Sequence, residues 1–83
     1  MDVKDKLACR AYKAGESDGR CFGRKHGKGR YSKSIYEAEV LRRCRKYCYH
    51  HFAGWDNVDG FIKDNWQRGF DKGWLEGPEQ EEA

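Results

Sequence analysis

Apolar residues recur at helical intervals in three stretches of the chain, and no stretch alternates with period two for long. In the first, Val3, Leu7, Ala11 and Ala14 follow one another at 4-4-3 spacing, a narrow apolar stripe on a helix. Ala8, Tyr12 and Gly15 widen that stripe on one side, and Asp2 stands where a helix cap would. The helix is expected to weaken near Gly15 and stop by Gly19, because glycine terminates more helices than it sustains.

Residues 20–33 read as a loop. Gly23, Gly27 and Gly29 interrupt a run of Arg, Lys and His there, with Phe22 and Tyr31 as its large side chains. Ser34-Ile35-Tyr36-Glu37 then fits a capping box, in which hydroxyl and carboxylate satisfy free amides reciprocally. At 100° per residue, Val40, Leu41, Cys44, Tyr47, Cys48, His51, Phe52 and Trp55 share one arc. Arg42, Arg43, Arg45, Lys46, Tyr49 and His50 share the opposite arc, so this second helix is amphipathic. It is expected to end near Gly54.

A third helix is expected from a cap at Asp56 or Asn57. Val58, Ile62, Trp66, Gly69 and Gly73 lie along one side, with Phe70 and Trp74 beside them. Gly77-Pro78 is a stop signal. Residues 78–83 offer little to bury and are expected to form a mobile acidic tail. The pattern predicts an all-α fold: a compact three-helix domain over residues 1–77, the middle helix central, with a basic Gly-rich loop between helices one and two.

One internal echo stands out. Tyr12-x2-Gly15-x3-Gly19-x3-Gly23 matches Trp66-x2-Gly69-x3-Gly73-x3-Gly77. Glycine inside a helix costs roughly 1 kcal/mol against alanine. Fraying helix ends account for Gly19, Gly23 and Gly77, but not for Gly69 between Trp66 and Trp74. Another helix is therefore expected to cross at Gly69 and Gly73.

Composition narrows the class. Eighty-three residues allow one domain. Charged residues make up 37% of the chain, which alone would suit disorder, but three Trp, five Tyr and four Phe argue for a folded core. No apolar run approaches the roughly 20 residues of a membrane span, and the charged start does not resemble a secretion signal. A cytoplasmic location with reduced thiols is the expectation. Three helices this short leave apolar surface that a second copy would cover, so a homodimer is one expected state.

The net charge of +3 hides an asymmetry, since residues 21–33 sum to +5 and residues 52–83 to −5. Arg24, Lys25, Arg30, Arg42, Arg43, Arg45 and Lys46 form a basic patch that phosphates or an acidic protein surface would suit. Tyr31, Tyr36 and Tyr49 are the aromatics expected to stack on bases or anchor an interface, with Trp74 as a further anchor. A solvated face neutralised by the acidic tail is the alternative.

The four cysteines, Cys9, Cys21, Cys44 and Cys48, allow three readings. Cys44 and Cys48 lie one turn apart on the core arc, and with one of Cys21, His26 or His51 could hold zinc. The expected reading is that Cys44 and Cys48 are small buried apolar residues, since cysteine is among the most buried residue types; a disulfide from Cys9 or Cys21 to a helix-two cysteine would need an oxidising compartment. No Cys-x2-Cys knuckle is present. His50 and His51 point about 100° apart on a helix and cannot act on one atom together. No phosphate cradle, paired carboxylates or oxyanion-hole signature accompanies them. The chain is expected to be no enzyme and to need no cofactor.

Ala11-Tyr12-Lys13-Ala14-Gly15 with Gly19-Arg20, the basic loop with Tyr31, and Ala53-Gly54-Trp55 together resemble the ribosome modulation factor family and its small phage-encoded relatives. Trp66-x2-Gly69 with Gly73-Trp74 is similar to that family's second element. The family's Pro-Tyr step is absent, and this chain carries an extra helix and an acidic tail. The resemblance implies ribosome binding without catalysis. The resulting expectation is a non-enzymatic, phage-type inhibitor or modulator that docks on a larger host protein or nucleoprotein complex handling nucleic acid. Direct RNA or ribosome binding, with RNA or DNA contact, is the alternative, and a zinc-stabilised helical module a further one. No membrane partner is expected.

Overall fold

Three helices carry the chain: α1 (Val3–His26), α2 (Lys33–Phe52) and α3 (Gly60–Glu82). The computed structural model describes residues 2–26 and 33–82, and the side chains of 2–25 and 33–75. Among the described residues there is no strand, and the all-α class expected from the apolar spacing is the observed one.

The glycines set the architecture. A Cβ on Gly15 would lie 2.0 Å from the Trp66 carbonyl oxygen, and one on Gly69 would lie 2.0 Å from the Tyr12 carbonyl oxygen. The same exchange repeats one turn on, between Gly19 and Phe70 and between Gly73 and Glu16. Residue pairs 12/66, 15/69, 16/70, 19/73 and 20/74 are thus equivalent, and the two helices run in the same direction about a local two-fold. Small residues at i and i+4 let two backbones meet where any side chain would hold them apart. Both halves of the sequence echo are the two sides of this contact.

This arrangement corrects several expectations. α1 does not weaken at Gly15 or stop by Gly19: both glycines are buried against α3, and the helix continues to His26. Residues 20–26 are therefore helical, not loop. Residues 27–32, with Arg30 and Tyr31, lie outside the described residues. Nor is α2 central. The close pair is α1 with α3, and α2 lies along one side of it.

The covered side is apolar. Trp66 and Phe70 stack with ring centroids 5.3 Å apart, and Phe22 meets Phe70 and Trp74 at 5.5 and 5.9 Å. α2 closes over these rings with Val40, Cys44 and Cys48, all buried, and with Tyr36, which stacks on Trp74 at 5.0 Å. The Tyr36 hydroxyl donates to the Asp71 carboxylate. Burial raises the pKa of that carboxyl above the usual range. On α1, Tyr12, Glu16 and Arg20 hold the positions equivalent to Trp66, Phe70 and Trp74. Here the contacts are ionic: Glu16 pairs with Arg20 at 3.4 Å and with Lys72 at 3.6 Å. A symmetric backbone contact therefore carries an apolar side and a charged one.

Apart from the end of α2, which falls close to Gly54 as expected, the helix ends differ from the expected ones. α2 begins at Lys33, so Ser34 lies inside its first turn. It ends at Phe52, and Ala53 takes the left-handed conformation, with φ 56°, while its amide bonds the Tyr49 carbonyl. The cap of α3 is Asp59, not Asp56 or Asn57: its carboxylate accepts the Phe61 amide at 2.8 Å. Lys4 reaches the same carboxylate at 3.1 Å and ties the start of α1 to the start of α3. Gly77-Pro78 does not end α3, which extends to Glu82.

Candidate docking surface

The outer face of α2 carries the basic arc. Arg42, Arg45, Lys46, Tyr49 and His50 are exposed, as the opposite-arc assignment requires. Two residues assigned to the core arc are exposed as well. Leu41 is 47% accessible, and His51 lies on the surface at the helix end. α2 rests on the α1–α3 pair through one narrow strip, so the edges of its apolar arc remain uncovered.

The basic residues are not equivalent. The Arg43 side chain is only 16% accessible. Its guanidinium donates to Asp18 at 2.6 Å and to Glu39 at 3.0 Å, and it lies 5.5 Å from the Phe22 ring centre. Arg43 is a bolt between α2 and α1. Arg42 donates twice to Glu39, at 3.1 and 3.0 Å, but remains largely exposed. These two guanidinium partners hold the Glu39 carboxyl down at about 2. The folded state therefore binds fewer protons at Glu39 than the unfolded chain does. Its contribution is complete above an ordinary glutamate pKa and is lost as pH falls from about 4.5 towards about 2. Acid titration of thermal stability should show this decline, and Glu39→Gln should flatten it.

On the outer face of α2, Arg45 and Lys46 are exposed and have no carboxylate partner among the described residues. Arg45 lies 5.6 Å from the Trp55 ring centre, and Lys63 covers the same ring at 4.2 Å. At the end of α1, Arg24 and Lys25 are exposed. With Asp18, Cys21 and Arg43 they line a shallow concavity of about 600 Å³. A second, of about 330 Å³, runs from Asp18 and Arg43 past Arg42 and Lys46 to His50 and His51. A third, of about 520 Å³, contains Leu41, Arg42, Arg45 and Lys46. Shared side chains join the three into one band.

Trp74 does not stand out as an anchor. It is half-buried between Phe22 and Tyr36. Tyr49 is 59% accessible and is the aromatic side chain the structure does present on the basic face.

The proposed zinc ligands are not brought together. Cys44 and Cys48 are buried under α2 while Cys21 is exposed on α1. Among the described residues no three His, Cys, Asp or Glu side chains converge on one point. Burial pushes the Cys44 thiol up to about 12, with Cys48 beside it reinforcing the shift, and burial raises Cys48 as well. A thiol held in that form is a poor nucleophile and a poor metal ligand. Iodoacetamide at neutral pH should modify Cys9 and Cys21 in the native protein, and all four cysteines only after denaturation. Mass spectrometry would count the additions.

Two features of the surface escaped the sequence. One is the internal role of Arg43, for which the i, i+4 spacing from Glu39 was the available signal. The other is a concavity between α2 and α3, lined by Val40, Leu41, Cys44, Trp55 and Lys63 among others, of about 300 Å³. It depends on how far α2 stands from α3, which no local pattern encodes. Among the described residues no helix is long and apolar enough to cross a membrane. Comparison with models of known protein families, with curated proteins and with solved structures finds no match to this chain.

Proposed function

We propose that the chain is a non-enzymatic binding protein that docks through the outer face of α2 on an acidic surface of a larger host complex, as a phage-type inhibitor or modulator. The observation that carries this reading is the exposure of Arg45, Lys46, Leu41 and Tyr49 on one face of one helix. Cations steer an acidic partner and set its register, while an exposed leucine and tyrosine supply apolar area at the centre of a contact. Naked phosphates would make little use of Leu41. The resemblance of short motifs to the ribosome modulation factor family is the ground for proposing machinery that handles nucleic acid as the target.

Affinity capture from host lysate, run with and without nuclease, tests it. The expected result is one protein complex retained after nuclease treatment. Direct RNA binding is the second reading, favoured by the continuity of the basic band from Arg24 and Lys25 to Lys46. It requires a captured set that disappears with nuclease and an affinity that falls steeply with salt.

A further inference from the structure

The concavity between α2 and α3 adjoins the basic face at two points. Leu41 lines both this concavity and the basic one on the outer side of α2. Trp55 lines its wall and carries Arg45 of the basic face 5.6 Å from its ring centre. The walls are apolar, from Val40, Leu41, Cys44 and the Trp55 ring, and the rim is polar, from Lys63, Asp64, Gln67 and Glu37. A volume of about 300 Å³ is at the lower bound of sites that enclose a ligand, roughly 300–1,000 Å³. It suits one bulky side chain better than a cofactor. Cys44 offers that side chain a soft neutral surface, since its thiol is kept protonated by burial.

We propose that this concavity receives one large apolar side chain, aromatic or leucine-like, from an acidic peptide segment of the partner that crosses the Leu41 edge, with its carboxylates on the Arg45 and Lys46 side and its uncharged positions against Glu37 and Asp64. The inference rests on the docking reading above and gives it an anchor. The basic face supplies steering and register, and insertion beside Cys44 supplies the buried apolar contact on which affinity depends. Anchors of this kind, seated in a pocket and ringed by polar groups, dominate protein interfaces. Amphipathic helices lay their apolar face into such grooves through a few spaced anchors.

Two synthetic helical peptides rich in Glu and Ala, one with a single central Phe and one with Ala in its place, test the inference. Binding is read by fluorescence anisotropy, and seating by the methyl resonances of Val40 and Leu41. The Phe peptide should bind at least tenfold more tightly and shift those methyls. Gln67→Trp, on the exposed rim, should remove that advantage without touching the core. Arg45→Glu with Lys46→Glu should weaken both peptides alike. Equal affinities with unmoved methyls would overturn the anchor site and leave the docking face standing. Indifference of both peptides to the double reversal, or no binding of either at millimolar concentration, would remove the docking reading and the anchor with it. A single-stranded oligonucleotide that binds more tightly than either peptide, with unmoved methyls, would assign the face to phosphate and overturn the inference.

Discussion

Gly15→Ala and Gly69→Ala should each lower the melting temperature by roughly 8–16 °C. The added methyl group has nowhere to go. Each new Cβ would stand 2.0 Å from a backbone carbonyl oxygen of the facing helix. A flexible side chain could rotate away, but a carbonyl in a helix cannot, so the axes must separate. Overpacking costs about 1–3 kcal/mol and sometimes more, and a backbone contact belongs at the upper end. Alanine recovers about 1 kcal/mol of helix propensity. The net loss is about 2 kcal/mol, and each kcal/mol moves the midpoint of a domain this size by about 4–8 °C. Total stability at this length is on the order of 4–12 kcal/mol, so the loss is a large fraction.

The pair also predicts non-additivity. Gly15 and Gly69 face each other across the same crossing, and once the helices have moved apart for one methyl, much of the room for the second exists. The double variant should cost less than the sum of the singles. Gly60→Ala is the control, because nothing lies within 4 Å of its added Cβ. It should be neutral or slightly stabilising. If Gly15→Ala melts like the parent, the parallel contact of α1 with α3 is wrong.

This contact also shows where the sequence was legible. The glycine echo pointed to a crossing at Gly69 and Gly73, and the structure places α1 there. The sequence did not reveal that the echo's other half was the partner. Glycine carries two opposite local meanings, helix end and helix contact, and only the facing helix decides between them. The loop assigned to residues 20–26 failed for the same reason: Gly19 and Gly23 weaken a helix in isolation, yet they are buried within α1. Tertiary contact outweighed propensity.

On α2, the periodicity placed Val40, Cys44 and Cys48 inside, and they are inside. It misplaced Leu41 and Arg43, at the edges of the two arcs, and His51, which has the angle of the buried strip but stands in the last turn of α2. A wheel assigns angles, but the width of the buried strip depends on how much neighbouring surface is available to cover it. The partner of Arg43 is Asp18, a residue 25 positions away that no helical repeat relates to it.

The difference between Arg43 and its neighbours yields the second large effect. Arg43→Glu and the pair Arg45→Glu, Lys46→Glu change charge in the same direction on the same helix, yet they should fail in opposite ways. Arg43→Glu leaves Asp18 and Glu39 facing a third carboxylate in a half-buried site. Removing one member of a buried ion pair costs about 3–5 kcal/mol. Because the Arg43 site retains some solvent, a loss near the lower bound, about 3 kcal/mol, is expected, which lowers the melting temperature by about 12–24 °C. The Arg45 and Lys46 reversals act on exposed side chains. Their cost is limited to the contact of Arg45 with Trp55, about 0.5–1 kcal/mol, and the melting curve should barely move. Partner capture should nevertheless fall by a factor of about 100 or more, since two attractive charges become two repulsive ones at the interface. Circular dichroism on the same preparations separates the two cases. A folded double variant that still captures its partner at parental affinity would rule out the α2 face as the docking surface. A stable Arg43→Glu protein would show that the bolt between α2 and α1 is not what holds that face in place.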